Sequence, residues 1–92
     1  MPSRQRSAQG SRAFRATREY TREARKIGLR IRGLREARGF TLEKLDERTG
    51  LNFRHLAKAE AGQLNMTLAT MLRIARGLRV PVSALFVEAE EG

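Results

Sequence analysis

The sequence predicts an all-α domain of five short helices, preceded by a basic arm and followed by an acidic tail. Three observations point there. Between residues 27 and 86 apolar side chains recur at helical spacing, with capping residues and glycines between the stripes. No segment shows sustained alternation of strand-forming residues. The 92 residues are 40% hydrophobic, enough for one small core, and no apolar run approaches the roughly 18 residues of a membrane span.

The elements follow in order. Residues 1–17 are polar, Arg-rich and free of acids, and read as a flexible arm with too little apolar surface to offset the entropy of ordering. The same composition is compatible with a mitochondrial transit peptide. Ala13, Thr17, Tyr20, Ala24 and Ile27 then share one helical face, so the end of the arm is expected to be helical. The arm is taken as 1–26, the helical domain as 27–86 and the tail as 87–92. In the first helix Ile27, Ile31 and Leu34 form the stripe, and Gly39 stops it in a left-handed cap. Thr41 caps the second, whose inner face is Leu42, Leu45 and Thr49, and Gly50 ends it. Asn52 caps the third, with Leu56 and Ala59 inward. Thr67 caps the fourth, with Leu68, Met71, Leu72, Ala75 and Leu78 as its stripe. Pro81 suits the first turn of a fifth, in which Val82, Leu85 and Phe86 are apolar. Leu45, Leu51, Leu56, Leu68, Leu72, Ile74 and Leu85 are the expected core.

Charge and composition narrow the function. There are 19 Lys and Arg against 10 Asp and Glu, a net charge of +9. Arg dominates the cations, which favours forked contacts to phosphate or guanine over point charges. A small basic domain facing a polyanion is the first expectation. With no Cys and a single His, His55, neither a disulfide framework nor a multi-His metal site can form. The motifs of P-loop nucleotide binding, zinc proteolysis and serine hydrolysis are all missing from the sequence. No catalytic residue, metal or cofactor is expected, and the protein is read as a non-enzyme of the cytoplasm, associated with the nucleoid.

The informative stretch runs from Leu42 to Ala61. A helix-turn-helix needs a residue tolerant of positive φ at the bend and apolar residues where its two helices touch. Leu45, Gly50, Leu51, Leu56 and Ala59 stand where that geometry requires them. Asn52, Arg54, His55 and Lys58 then offer polar and basic groups at the start of the second helix, where it would enter a major groove; Phe53 is the exception.

On these residues the chain resembles the phage-repressor and Cro-type helix-turn-helix family, the lambda-repressor-like domains that include xenobiotic-response-element-like regulators. The likeness covers about two-thirds of the chain. Its markers are the R-x-x-R-G segment ending at Gly39, the Gly50-Leu51-Asn52 turn, and Glu60 two residues before Gly62. Asn65, Thr67 and Leu68, then Leu72, Ile74 and Ala75, and finally Leu78 and Val80 continue it. A looser likeness is to the controller proteins of restriction–modification systems.

The resemblance implies a five-helix domain that reads double-stranded DNA, as a homodimer on a palindromic operator. Phe53, Arg54 and Lys58 match groove-facing, base-contacting places: Arg54 could fork onto guanine and Phe53 pack on a thymine methyl. Thr41, Gln63, Asn65 and Thr67 match backbone-contacting places, and Asn52 and His55 are added to them. Leu78, Val80, Val82, Leu85 and Phe86 fall in the usual dimer surface. The arm arginines Arg12, Arg15, Arg18 and Arg22 are expected to follow phosphates or enter the minor groove. Two departures bear on DNA affinity. Asp46 stands where the family has Ala, a place where a buried unpaired carboxylate would cost several kcal/mol; it is expected to turn outward or to meet Arg54, His55 or Lys58. Leu42 replaces a phosphate-contacting Gln. Met66 and Arg79 replace a common Pro and Gly. Glu60 is expected to be structural, pairing with Arg35 or Arg38.

The expectation is therefore a sequence-specific transcriptional regulator, a repressor or autoregulator. Ninety-two residues leave no room for a separate ligand-sensing domain, so regulation would act through concentration, dimerisation or a regulatory protein partner. Two alternatives stand beside it: a protein-interaction adaptor on the same fold, motivated by Leu42, Asp46 and Phe53, and a non-specific nucleoid or RNA binder, motivated by the arm.

Overall fold

A computed structural model of the chain describes residues 12–87. Residues 1–11 of the arm and 88–92 of the acidic tail lie outside the described residues. After a single helical turn over 12–15 come α1 (Arg18–Ala37), α2 (Leu42–Thr49), α3 (Phe53–Glu60), α4 (Leu68–Leu78) and a closing 3-10 helix (Val82–Phe86), with no strand among the described residues. The fold is the all-α, five-helix arrangement expected.

α1 starts at Arg18, where Thr17 Oγ1 accepts the Tyr20 N–H at 3.2 Å. Thr17 is thus the cap rather than a member of the stripe, and Ala13 lies exposed in the preceding turn. Residues 18–26 of the arm form the N-terminal half of α1 and are seated through buried Ala24. α1 crosses α3 very closely. A Cβ at Gly28 would come 2.4 Å from the Glu60 carbonyl oxygen and 2.5 Å from that of Ala59, so only glycine permits this approach. At its C-terminal end, the Phe40 N–H reaches the Arg35 carbonyl at 3.1 Å and the Gly39 N–H that of Glu36 at 2.9 Å, the paired bonds that close a helix with a left-handed residue.

α2 is capped by Thr41 Oγ1, which accepts the Lys44 N–H at 3.0 Å, and it ends at Gly50 with φ 73°. Thr49 is the buried polar residue. Its hydroxyl donates to the Leu45 carbonyl at 2.8 Å and accepts the Leu51 N–H at 3.1 Å, so its burial leaves no unmet group. Thr49 Cγ2 lies where a Cβ at Gly77 would be 2.6 Å away, which turns the Ile74–Gly77–Leu78 side of α4 inward. Leu68 and Leu72, expected in the core, are in consequence 62% and 48% exposed, and Leu51 is half-buried. The true core is Ile31, Leu45, Leu56, Ile74, Leu78 and Leu85, each fully buried and each worth roughly 1.5–3 kcal/mol relative to exposure. The last element also differs from expectation. Pro81 is its extended N-cap, at φ −66° and ψ 151°, not its first turn, and the helix is 3-10 rather than α.

Arginines fasten these elements together. Arg30 Nε donates to the Ala84 carbonyl at 2.8 Å, Arg48 Nε to that of Gly77 at 2.7 Å, and Arg73 Nη2 to that of Thr49 at 2.9 Å. The Arg48 guanidinium also lies 5.0 Å above the Phe40 ring. The latter two serve carbonyls at helix C-terminal ends, which have no partner within their own helix.

α4 closes as α1 does, with the Val80 N–H on the Ala75 carbonyl at 3.0 Å, but the left-handed position holds Arg79 at φ 60°. A side chain there carries a conformational penalty of about 1 kcal/mol that glycine avoids. Arg79→Gly is therefore expected to stabilise the fold by about that amount, read as a higher urea midpoint at unchanged slope; an unchanged or lower midpoint would show that the side chain compensates for its backbone.

Candidate nucleic-acid interface

α2 and α3 meet through the turn of Gly50, Leu51 and Asn52, and the start of α3 is held by two acceptors. Asn52 Oδ1 takes the Arg54 N–H at 2.7 Å, and Asp46 Oδ2 takes the Phe53 N–H at 3.0 Å. Two of the four N–H groups that a helix start leaves unpaired are thereby satisfied, and the carboxylate sits at the favourable end of the helix dipole. This corrects the expectation for Asp46: it neither turns outward nor meets Arg54, His55 or Lys58, but reaches across the turn to the backbone of the next helix. Leu42 is half-buried against the core, on the inner face expected of it.

The other end of α3 is held by Glu60. Arg35 Nε lies 2.6 Å from Oε2 and Nη2 lies 3.1 Å from Oε1, while Nη1 donates to the Phe40 carbonyl at 2.7 Å. The two side chains are only 12% and 8% exposed. The Glu60 hydrogen bonds raise the Arg35 pKa above its ordinary value against the opposing effect of burial, so the guanidinium stays charged wherever the fold exists. Arg35, not Arg38, is the partner of Glu60. Arg38 reaches the Arg79 carbonyl at 3.3 Å.

Between these anchors α3 turns Leu56 and Ala59 inward and leaves Arg54, His55, Ala57 and Lys58 exposed. Phe53 is 38% exposed, and the Arg54 guanidinium lies 5.8 Å above its ring. Thr41, Asn52, Gln63, Asn65 and Thr67 are exposed as well, but three of them already serve as helix caps: Thr41, Asn52, and Thr67, which accepts the Thr70 N–H at 3.1 Å. Asn65 Oδ1 accepts the Tyr20 hydroxyl at 2.9 Å, a link between α1 and the α3–α4 loop across 45 residues of sequence. Arg12 and Arg15 lie in the short turn, Arg18 and Arg22 on α1, and all four are exposed. The five residues assigned to a dimer surface separate. Leu78 and Leu85 are fully buried in the protomer's own core and offer a partner nothing, whereas Val80 and Val82 are half-buried and Phe86 is 56% exposed. Leu72 adjoins the two valines in a shallow groove of about 480 Å³. Sequence reasoning named Tyr20, Asp46 and Leu72 but gave them other places, because the Tyr20–Asn65 and Asp46–Phe53 contacts and the outward turn of Leu72 are set by packing between elements.

A capped, outward-facing polar helix set across a glycine turn from its partner is a helix-turn-helix unit. Residues 31–85 match the family described as helix-turn-helix, and the chain belongs to that family. It is similar to the Escherichia coli HTH-type transcriptional regulator SutR, with 38% identity over 60 residues, 65% of this chain and 34% of the relative. Among solved structures it is similar to the restriction-modification controller protein C.AhdI from Aeromonas hydrophila, at 35% identity and a TM-score of 0.67, covering 68% of this chain and 96% of that one. A helix-turn-helix transcriptional regulator from Vibrio cholerae shares 31% identity at a TM-score of 0.70, over 73% of this chain and 38% of its own. The match thus spans about a third of the length of the E. coli regulator. No helix among the described residues is long and apolar enough to cross a membrane.

Asp46→Ala removes the acceptor for the Phe53 N–H and is expected to cost about 1 kcal/mol, as for other lost helix caps. Chemical denaturation would measure it. A neutral result would mean that water replaces the carboxylate without loss.

Proposed function

We propose that the protein is a sequence-specific transcriptional regulator, a repressor or autoregulator, that reads a palindromic operator as a homodimer. The observation that carries this reading is the outer face of α3: Arg54 and Lys58 exposed one turn apart, on a helix fixed at both ends by Asp46 and Glu60. A helix so held presents base-contacting groups in one geometry, which is what discrimination between base edges requires. Arg54, with Phe53 beside it, would read bases with Lys58. Thr41, Asn52, His55, Gln63, Asn65 and Thr67, with the arginines of the arm, would follow the phosphates and set the register.

Exposed apolar side chains support the dimer. Leu72 is 48% exposed and shares a groove with half-buried Val80 and Val82, and Leu68, one turn before it on α4, is 62% exposed; Phe86, 56% exposed, lines a separate groove beside α1. Two-fold symmetry in the protein would be mirrored in the operator, with half-sites about one helical turn apart. The similarity to a restriction-modification controller favours a regulatory role over a general packaging one. The adaptor reading loses two of its three motives, since the backbone of α3 accounts for Asp46 and core packing for Leu42.

Selection from a random duplex library near 0.15 M salt tests the reading. An enriched palindrome is the expected result, and retention without a consensus would overturn it. On the selected operator Arg54→Ala should lower the specific-to-nonspecific ratio by about 1–3 kcal/mol, with little effect on nonspecific affinity. An unchanged ratio would remove Arg54 from the base contacts. Leu72→Glu should shift sedimentation from dimer to monomer and weaken operator binding with it; a persistent dimer would place the interface elsewhere.

A further inference from the structure

The first half of α1 lies ahead of the family match, which begins at Ile31. It is nevertheless rigidly joined to the part of the domain that follows α3. A Cβ at Gly62 would come 2.9 Å from the Arg25 backbone, Gly28 lies against the end of α3, and the Tyr20 hydroxyl holds Asn65. The outward side of this segment is basic. Arg18, Arg22, Arg25 and Lys26 line a groove of about 480 Å³ whose apolar part is built around Leu29, itself 56% exposed. No carboxylate among the described residues lines it; Glu23, which lines a separate groove beside Phe86 and Val87, lies 3.7 Å from Arg22 Nε and from Lys26 Nζ in exposed ion pairs, and Arg18 and Arg25 stand to either side of it in sequence.

We infer that this side of α1 is a second DNA contact, a rigid ridge that lies on the phosphates flanking the sequence read by α3, and that Tyr20 is the residue that positions it. The inference rests on the proposed function. Arg18, Arg22 and Arg25 follow one another at i, i+4 and i+7, so they span about 10 Å along the helix axis. That equals the axial rise of about three phosphates on one strand. Guanidiniums suit this partner because each can fork onto phosphate oxygens. The position suits it too. The ridge is tied by Asn65 to the loop assigned to phosphate contact, so it is carried beside that loop and not on α3 itself. The contact carries no base information. It lengthens the footprint, and it steepens the dependence on salt.

The experiment compares two duplexes that share the selected operator, one ending at its edges and one extended by about eight base pairs on each side. The triple variant Arg18→Gln, Arg22→Gln, Arg25→Gln alters exposed side chains only. It should bind the long duplex at least about tenfold more weakly, with a log–log salt slope shallower by about 2–3, and lose markedly less on the short duplex, with the selected consensus as in the parent. Tyr20→Phe keeps every cation but frees the ridge from Asn65. It should lose a few-fold on the long duplex alone, at an unchanged thermal midpoint. Equal losses on both duplexes, or none on the long one, would overturn the ridge, and the latter would leave the basic face to an acidic protein partner. Loss of consensus selection by the parent protein would instead sink the operator reading, a separate outcome.

Discussion

Arg35 is the joint on which the arrangement of the site depends. Its guanidinium grips both carboxylate oxygens of Glu60 and the carbonyl of Phe40, so one charged group ties the end of α3 to α1 and to the turn that leads into α2. Such a pair is not a strong source of stability when compared with well-packed apolar residues, but its geometry is directional, and breaking it leaves a charge without compensation. Direction is what α3 needs. Gly28 brings α1 close enough for the pair to form, and Asp46 fixes the far end of the same helix. A recognition helix eight residues long has little intrinsic stability. It is held at its two ends from outside, by neighbours that are themselves anchored in the core.

This division of labour explains what the sequence made legible. The core stripes of α2 and α3, the caps at Thr41, Asn52 and Thr67, and the bend at Gly50 all rest on local chemistry, and each was recoverable from spacing and residue type. Glu60 was recoverable as structural because a lone acid beside a basic segment suggests a pair. What stayed hidden depended on contacts far apart in sequence. Nothing local to Asp46 shows that the N–H it serves belongs to Phe53, seven residues on, across a turn. Nothing local to Tyr20 shows Asn65. The α4 stripe went astray by a small rotation, because helical spacing alone does not reveal that Gly77 admits Thr49 and so turns Leu68 and Leu72 outward.

The surface proposed to dimerise shows the same limit. Apolar residues near the end of a small domain serve two masters, the protomer's own core and any partner, and periodicity cannot apportion them. Here the 3-10 helix sends Leu85 inward against Ile31 and Leu78, leaving Phe86 outside. Core and surface alternate between adjacent residues, as the tight three-residue turn of that helix allows.

The arginine joints have one more consequence. Arg30, Arg48 and Arg73 donate to carbonyls, which are neutral, so at these contacts no carboxylate offsets the guanidinium as Glu60 offsets Arg35. Cations that work as rivets inside the domain still contribute to the field outside it. Long-range attraction of a polyanion is then built into the scaffold itself, and the proposed encounter with DNA would be hastened by residues that need never touch it.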